Sequence, residues 1–156
     1  MISEIFHCDW IIPVVGQPVP DAVVVVENSR IAWLGGRSSL PSRYATLPLR
    51  TIKGVMLPGL VNAHTHLQYT HFRKLGVGQY QSFEHWCVDF EDRYDLVTDV
   101  SFWAESAALG AKLSVQAGTT VFSDIITHDE ARGAFAHYGC TGIEYLEVIG
   151  ALRENW

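Results

Sequence analysis

Cysteine is scarce in this 156-residue chain: Cys8, Cys87 and Cys140 are odd in number, far apart and outside any CxxC pattern. That excludes a disulfide framework and a zinc ribbon, and predicts three reduced, mostly buried thiols. Cations are also few, 11 Lys and Arg against 17 Asp and Glu, for a net charge of −6. Nucleic-acid affinity is built from clustered Lys and Arg, so no nucleic-acid partner is expected. No apolar run approaches the roughly 18 residues of a membrane span. The start, Met1-Ile2-Ser3-Glu4-Ile5-Phe6, lacks the basic and then apolar regions of a secretory leader. A cytoplasmic protein without a membrane partner is the expectation.

What is present is a globular composition, 48% hydrophobic and 18% charged, in a length suited to roughly one domain of about 100 to 200 residues. Residues 1–53 read as all-β. Ile11-Ile12-Pro13-Val14-Val15 is a short apolar run that the proline confines to an edge or a strand end, because proline cannot donate to a ladder. Ala22 to Val26 and Ile31 to Leu34 flank Glu27-Asn28-Ser29-Arg30, which predicts a hairpin of open turn type. Arg37 to Leu49, punctuated by Pro41 and Pro48, reads as a surface connection, and Thr51-Ile52 returns to the small sheet.

The periodicity changes at Gly54, giving a boundary between residues 1–53 and 54–156. Val55 to Asn62 is a near-continuous apolar run, as expected of a strand buried on both faces of a parallel sheet. A polar-aromatic loop, Gln68 to Gln81, comes next. Ser82 is placed to cap an amphipathic helix carrying Phe83, Trp86, Cys87, Phe90 and Tyr94. Thr98 is placed to cap a second helix, Phe102 to Gln116, with Asp99 in its first turn. Thr119 to Ile126 is a second strand, Glu130 to Tyr138 a third helix capped by Thr127 or Asp129, and Gly142 to Ile149 a third strand. This β, α, α, β, α, β order is that of parallel βα units. A closed (β/α)8 barrel needs about 250 residues, so the segment from Gly54 onward accounts for roughly its first three strands.

Chemistry concentrates at His64 and His66. Residues two apart on an extended chain share a face, so both imidazoles can aim at one point, and imidazole is the commonest side-chain ligand for zinc. Catalytic zinc sites take three protein ligands plus water, so two histidines are an incomplete set. Their place at the carboxyl end of an apolar strand is where α/β barrels put reactive groups. His128, after the second strand, is a candidate third ligand against a structural role; His71 and His85 are weaker candidates. Gln68 continues the same-face series and could line a substrate pocket, and Trp86 could stack on a heterocycle instead of serving the core. Asp124 and Glu147 stand near strand ends, either functional or engaged in capping and ion pairs. No catalytic acid or base is assigned.

Pro58-Gly59-Leu60-Val61-Asn62-Ala63-His64-Thr65-His66-Leu67 resembles the strand-1 metal motif of the amidohydrolase superfamily, in its cytosine/adenosine deaminase-like and chlorohydrolase-like branch. Ala22 to Gly35 is similar to that family's N-terminal hairpin, Ser82 to Trp86 to its first-helix segment, Ala117 to Asp124 to its strand 2, and Tyr145 to Gly150 to its strand 3. The resemblance covers nearly the whole chain. It implies a small β-sandwich attached to the incomplete start of a metal-dependent (β/α)8 barrel. It also implies hydrolytic deamination of a nitrogen heterocycle by a water activated on one divalent metal ion, Zn or Fe, with His64 and His66 as its first two ligands. The family's remaining ligands and its acid/base glutamate lie on strands 5, 6 and 8, which this chain does not contain. An inactive isolated chain is therefore expected, with a small heterocyclic molecule as the whole enzyme's substrate. The alternative is a non-catalytic module that pairs with itself or a partner through its open sheet edge.

Overall fold

In the computed structural model, which describes residues 3–148, the chain divides between Pro58 and Gly59 into two compact units. The sequence pattern placed that boundary at Gly54. The first unit is a four-stranded sheet of β1 (Ser3–Ile11), β2 (Val19–Glu27), β3 (Arg30–Gly36) and β4 (Leu49–Met56), in the order β3-β2-β1-β4. β1 runs antiparallel to β2 and parallel to β4. Alternation along β2 sends Val23 and Val25 to a cluster with Ile5 and Tyr44, and Ala22 and Val24 to one with Cys8 and Ile11. The described residues form one sheet here, where the resemblance implied two packed sheets. The expected strand at residues 11–15 is likewise displaced: β1 ends at Ile11, before Pro13. The polar residues within it, Glu4, His7 and Asp9, break up the apolar pattern without a regular alternation and concealed it.

The hairpin forms as anticipated. Asn28 and Ser29 sit between β2 and β3 with φ of 51° and 62°, the two positive values of a type I′ turn, whose twist matches that of the strands it joins.

β4 carries on past Gly54 to Met56, pairing Val55 with Trp10 and Met56 with Ile11. The run Val55–Asn62 is thus two strands in two sheets. Leu57-Pro58-Gly59 lies between them, and a proline cannot donate to a ladder.

The second unit holds β5 (Leu60–Thr65), β6 (Thr119–Ile126) and β7 (Thr141–Leu146), all parallel in the order β5-β6-β7. Ile149 and Gly150, expected in the third strand, lie outside the described residues. Between β5 and β6 come a 3-10 helix, Leu67–Val77, then α1 (Phe83–Tyr94) and α2 (Ser101–Gln116). The expected loop at 68–81 is therefore largely helical. Ser82 caps α1 by accepting from the His85 N–H at 3.2 Å. At α2 the capping side chain is Asp99, accepting from Ser101 N–H at 2.9 Å, in place of Thr98. Ala107 and Ala111 of α2 pack with Leu67, Phe122, Ile126 and Phe135 into the core. A Cβ at Gly110 would run into Thr70 Oγ1, so glycine lets α2 lie directly on the 3-10 helix.

The third helix is absent. Residues 130–138 form two short 3-10 turns, Asp129–Ala131 and Ala136–Tyr138, separated at Gly133, whose φ of 75° breaks a right-handed helix. Among the described residues no helix is long and apolar enough to cross a membrane.

Candidate functional site at the end of the first parallel strand

β5 ends at Thr65, and the chain turns directly into the 3-10 helix. The turn is held by Asp124 of β6, whose Oδ1 accepts from the Leu67 N–H at 2.9 Å. Thr65 lies opposite Asp124 in the β5–β6 ladder. The histidines on either side of Thr65 fall on one face, with ring centroids 5.3 Å apart and planes tilted by 59°. His64 is exposed and His66 half-buried. Burial pushes the His66 imidazole below its usual pKa, while the Glu147 carboxylate opposes that shift and His64 reinforces it. His66 Nδ1 is buried without a hydrogen-bond partner. A neutral imidazole is the form that binds a metal.

Tyr69 stacks on His66 at 5.4 Å with an interplanar angle of 16°, and meets Phe90 edge-on at 5.0 Å. Trp86 lies between Phe83, at 5.6 Å, and Phe90, at 5.3 Å, both stacked. These rings wall a cavity of about 630 Å³ onto which His66, Arg73 and Glu147 also open. A second cavity, about 420 Å³, is lined by His64, Ser123, Tyr145 and Glu147. Glu147 thus borders the space in front of both histidines.

The structure brings Trp86 and His66 together and takes Gln68 elsewhere. Gln68 is fully buried; its Oε1 accepts from the N–H groups of Thr127 and His128 at 3.0 and 3.1 Å, and its Nε2 donates to Thr127 Oγ1 at 2.9 Å. It ties the 3-10 helix to the end of β6. His128 does not join His64 and His66: its Nε2 shares a 2.6 Å hydrogen bond with the Tyr94 hydroxyl and its ring stacks on Trp103 at 3.9 Å. His71 packs edge-on against Phe102, and His85 belongs to the start of α1. Among the described residues no group of three or more His, Cys, Asp or Glu side chains is arranged to hold a metal ion. Asp124 has no exposed surface and its Oδ2 has no partner; burial raises its pKa to about 6, with the Glu144 charge adding to the shift. Tyr69 and Thr127 are the site residues that the linear pattern did not single out. Thr127 reads from sequence only as a helix cap, and Tyr69 as one more ring in an aromatic stretch.

A parallel α/β sheet with paired histidines at a strand's carboxyl end, facing an aromatic cavity, has the layout of a ligand site in a βα-repeat protein. The amidohydrolase family model matches residues 55–146, and the chain belongs to that family. It is 31% identical over 146 residues to the 5-methylthioadenosine/S-adenosylhomocysteine deaminase of Moorella thermoacetica, covering 90% of this chain and 33% of that protein. It is 47% identical over 68 residues to the imidazolonepropionase of Cupriavidus pinatubonensis, covering 42% of this chain and 16% of the relative. The structure of an adenosine deaminase from Xanthomonas campestris with bound zinc superposes with a TM-score of 0.70 at 21% identity, over 89% of this chain and 32% of that one. The chain spans about a third or less of the length of each of these proteins.

Proposed function

We propose that this chain is the N-terminal part of a metal-dependent amidohydrolase that hydrolytically deaminates a nitrogen heterocycle, an aminopurine, an aminopyrimidine or a related ring. The observation that carries this reading is the pair of imidazoles sharing one face at the end of β5, beside the aromatic cavity that contains Trp86. Family membership and the deaminases among the relatives support it. The parallel sheet is then the opening of a (β/α)8 barrel.

The side chains fit a metal as part of its ligand set. His66 presents a neutral, half-buried ring with an unpartnered nitrogen, and His64 stands beside it. A divalent ion held there, zinc or iron, supplies Lewis-acid activation of water at neutral pH. This chain's own contribution is to fix the exit from β5 through the Leu67–Asp124 hydrogen bond, to stack Tyr69 on the His66 ring, and to offer a planar substrate the Trp86 wall.

Zinc titration of the chain tests the ligands: one ion binds, and His64→Ala and His66→Ala each weaken it by at least about tenfold, whereas His128→Ala does not. Zinc affinity indifferent to both substitutions overturns the metal site. Ammonia release by the natural gene product from aminopurines, aminopyrimidines and triazines tests the reaction. Turnover lost in the same two variants supports deamination, and no turnover on any of these rings removes it.

A second reading, a module that pairs through its sheet, is favoured by the exposure of Leu60 and Val61 on β5 and of Ile143 and Leu146 on β7.

A further inference from the structure

Glu147 comes directly after β7, and its backbone N–H donates to Ile126 O at 2.8 Å, which keeps it beside the end of β6. Its side chain is also held. Thr127 Oγ1 donates to Glu147 Oε2 at 3.1 Å, and donor counting fixes the proton positions in this network. Gln68 Oε1 faces two backbone N–H groups, so its amide cannot be flipped and its Nε2 must donate to Thr127 Oγ1. The one hydroxyl proton of Thr127 goes to the carboxylate, which can only accept. The Tyr69 hydroxyl, 2.9 Å from Thr127 Oγ1, must then be the donor in that contact. Glu147 Oε1, by contrast, has no hydrogen bond among the described residues. The carboxylate borders both the aromatic cavity and the space in front of His64.

We propose that Glu147 is the ligand-positioning carboxylate of this site: Oε2 is pinned by Thr127, and Oε1 accepts from the N–H groups of an amino-substituted aromatic heterocycle lying against Trp86. Thr127 is a positioning residue, because it acts through Glu147, and Tyr69 links the carboxylate to the ring of His66. The choice of ligand class rests on the heterocycle reading given above. The cavity wall supplies flat apolar contact, which any aromatic ring satisfies, and an acceptor-only carboxylate selects rings that carry donors on one edge.

Equilibrium dialysis of the 156-residue chain with 2-aminobenzimidazole and benzimidazole tests this, since the two rings differ only by the exocyclic amine. The chain binds the amino compound about tenfold more tightly, as expected for a hydrogen bond to a charged acceptor. Glu147→Gln brings the ratio close to one, Thr127→Val lowers it, and Thr127→Ser restores it. Trp86→Ala weakens both ligands and leaves the ratio standing. A ratio unchanged in Glu147→Gln overturns the proposal, as does a wild-type chain that binds neither ring or shows no preference. Zinc affinity measured on the same samples separates the two readings: His64→Ala and His66→Ala lose zinc and keep the ratio, while Glu147→Gln keeps zinc and loses the ratio.

Discussion

Asp124 carries two opposed demands. It has no exposed surface, which disfavours its charge, yet its Oδ1 accepts from the Leu67 N–H that sets the exit from β5. Burial wins, and the carboxyl is raised from 3.8 to about 6. Since the folded value lies above the unfolded one, the stability it contributes is complete below the unfolded pKa and is lost as pH rises through the folded one, a swing of about 3 kcal/mol. The metal-free wild-type chain should therefore lose melting temperature between about pH 4 and pH 7 relative to Asp124→Asn, which keeps an acceptor for Leu67 but cannot ionise. Parallel thermal profiles for the two proteins would show that the carboxyl titrates normally. That His64 and His66 share a face, and that Trp86 shares one with Phe83 and Phe90, was legible because two-residue spacing and helical spacing each define a face. Gln68 belonged to the same series, but the chain leaves the extended conformation at His66 and enters a 3-10 helix, so the alternation that would have aimed Gln68 at the cavity ends one turn too early.

Among the elements, β6 was readable to the residue, because Thr119 to Ile126 is β-branched and bounded by Gly118, whose φ of 95° ends the α2 connection. The Ser82 cap of α1 was legible for a similar reason, since a hydroxyl just before an amphipathic stretch has a local role. The third helix was not legible, since its apolar spacing was intact and the break comes from the backbone, extended at Arg132 with ψ of 139° and left-handed at Gly133. Glycine also governs how closely β7 approaches β6: a Cβ at Gly142 would run into the Phe122 carbonyl oxygen, and backbone cannot yield as a flexible side chain can. Gly142→Ala should destabilise the chain by about 1–3 kcal/mol, as overpacking does. Amides of β7 should then exchange faster while those of α1 stay protected, and equal protection of β7 in both proteins would contradict the close approach.

At the scale of the whole molecule, exposure is uneven across the parallel sheet. β6 is largely buried, whereas Leu60 and Val61 of β5 and Ile143, Tyr145 and Leu146 of β7 are between 49% and 64% exposed. Apolar strands of that kind associate. Light scattering should show a mass that rises with concentration, and Val61→Lys with Ile143→Lys should shift it towards the monomer; a wild-type chain monomeric throughout would sink the pairing reading. By itself the sequence determined the strand-helix alternation, the hairpin and the two histidines on one face, because each depends on residues adjacent or a few places apart. The tertiary structure alone decided that Val55 and Val61 belong to different sheets, that Gln68 is a buried brace, that His128 stacks on Trp103 away from the histidine pair, and that Glu147 is held by Thr127. Those outcomes depend on which segments, tens of residues apart, compete for the same hydrogen bonds and the same buried space.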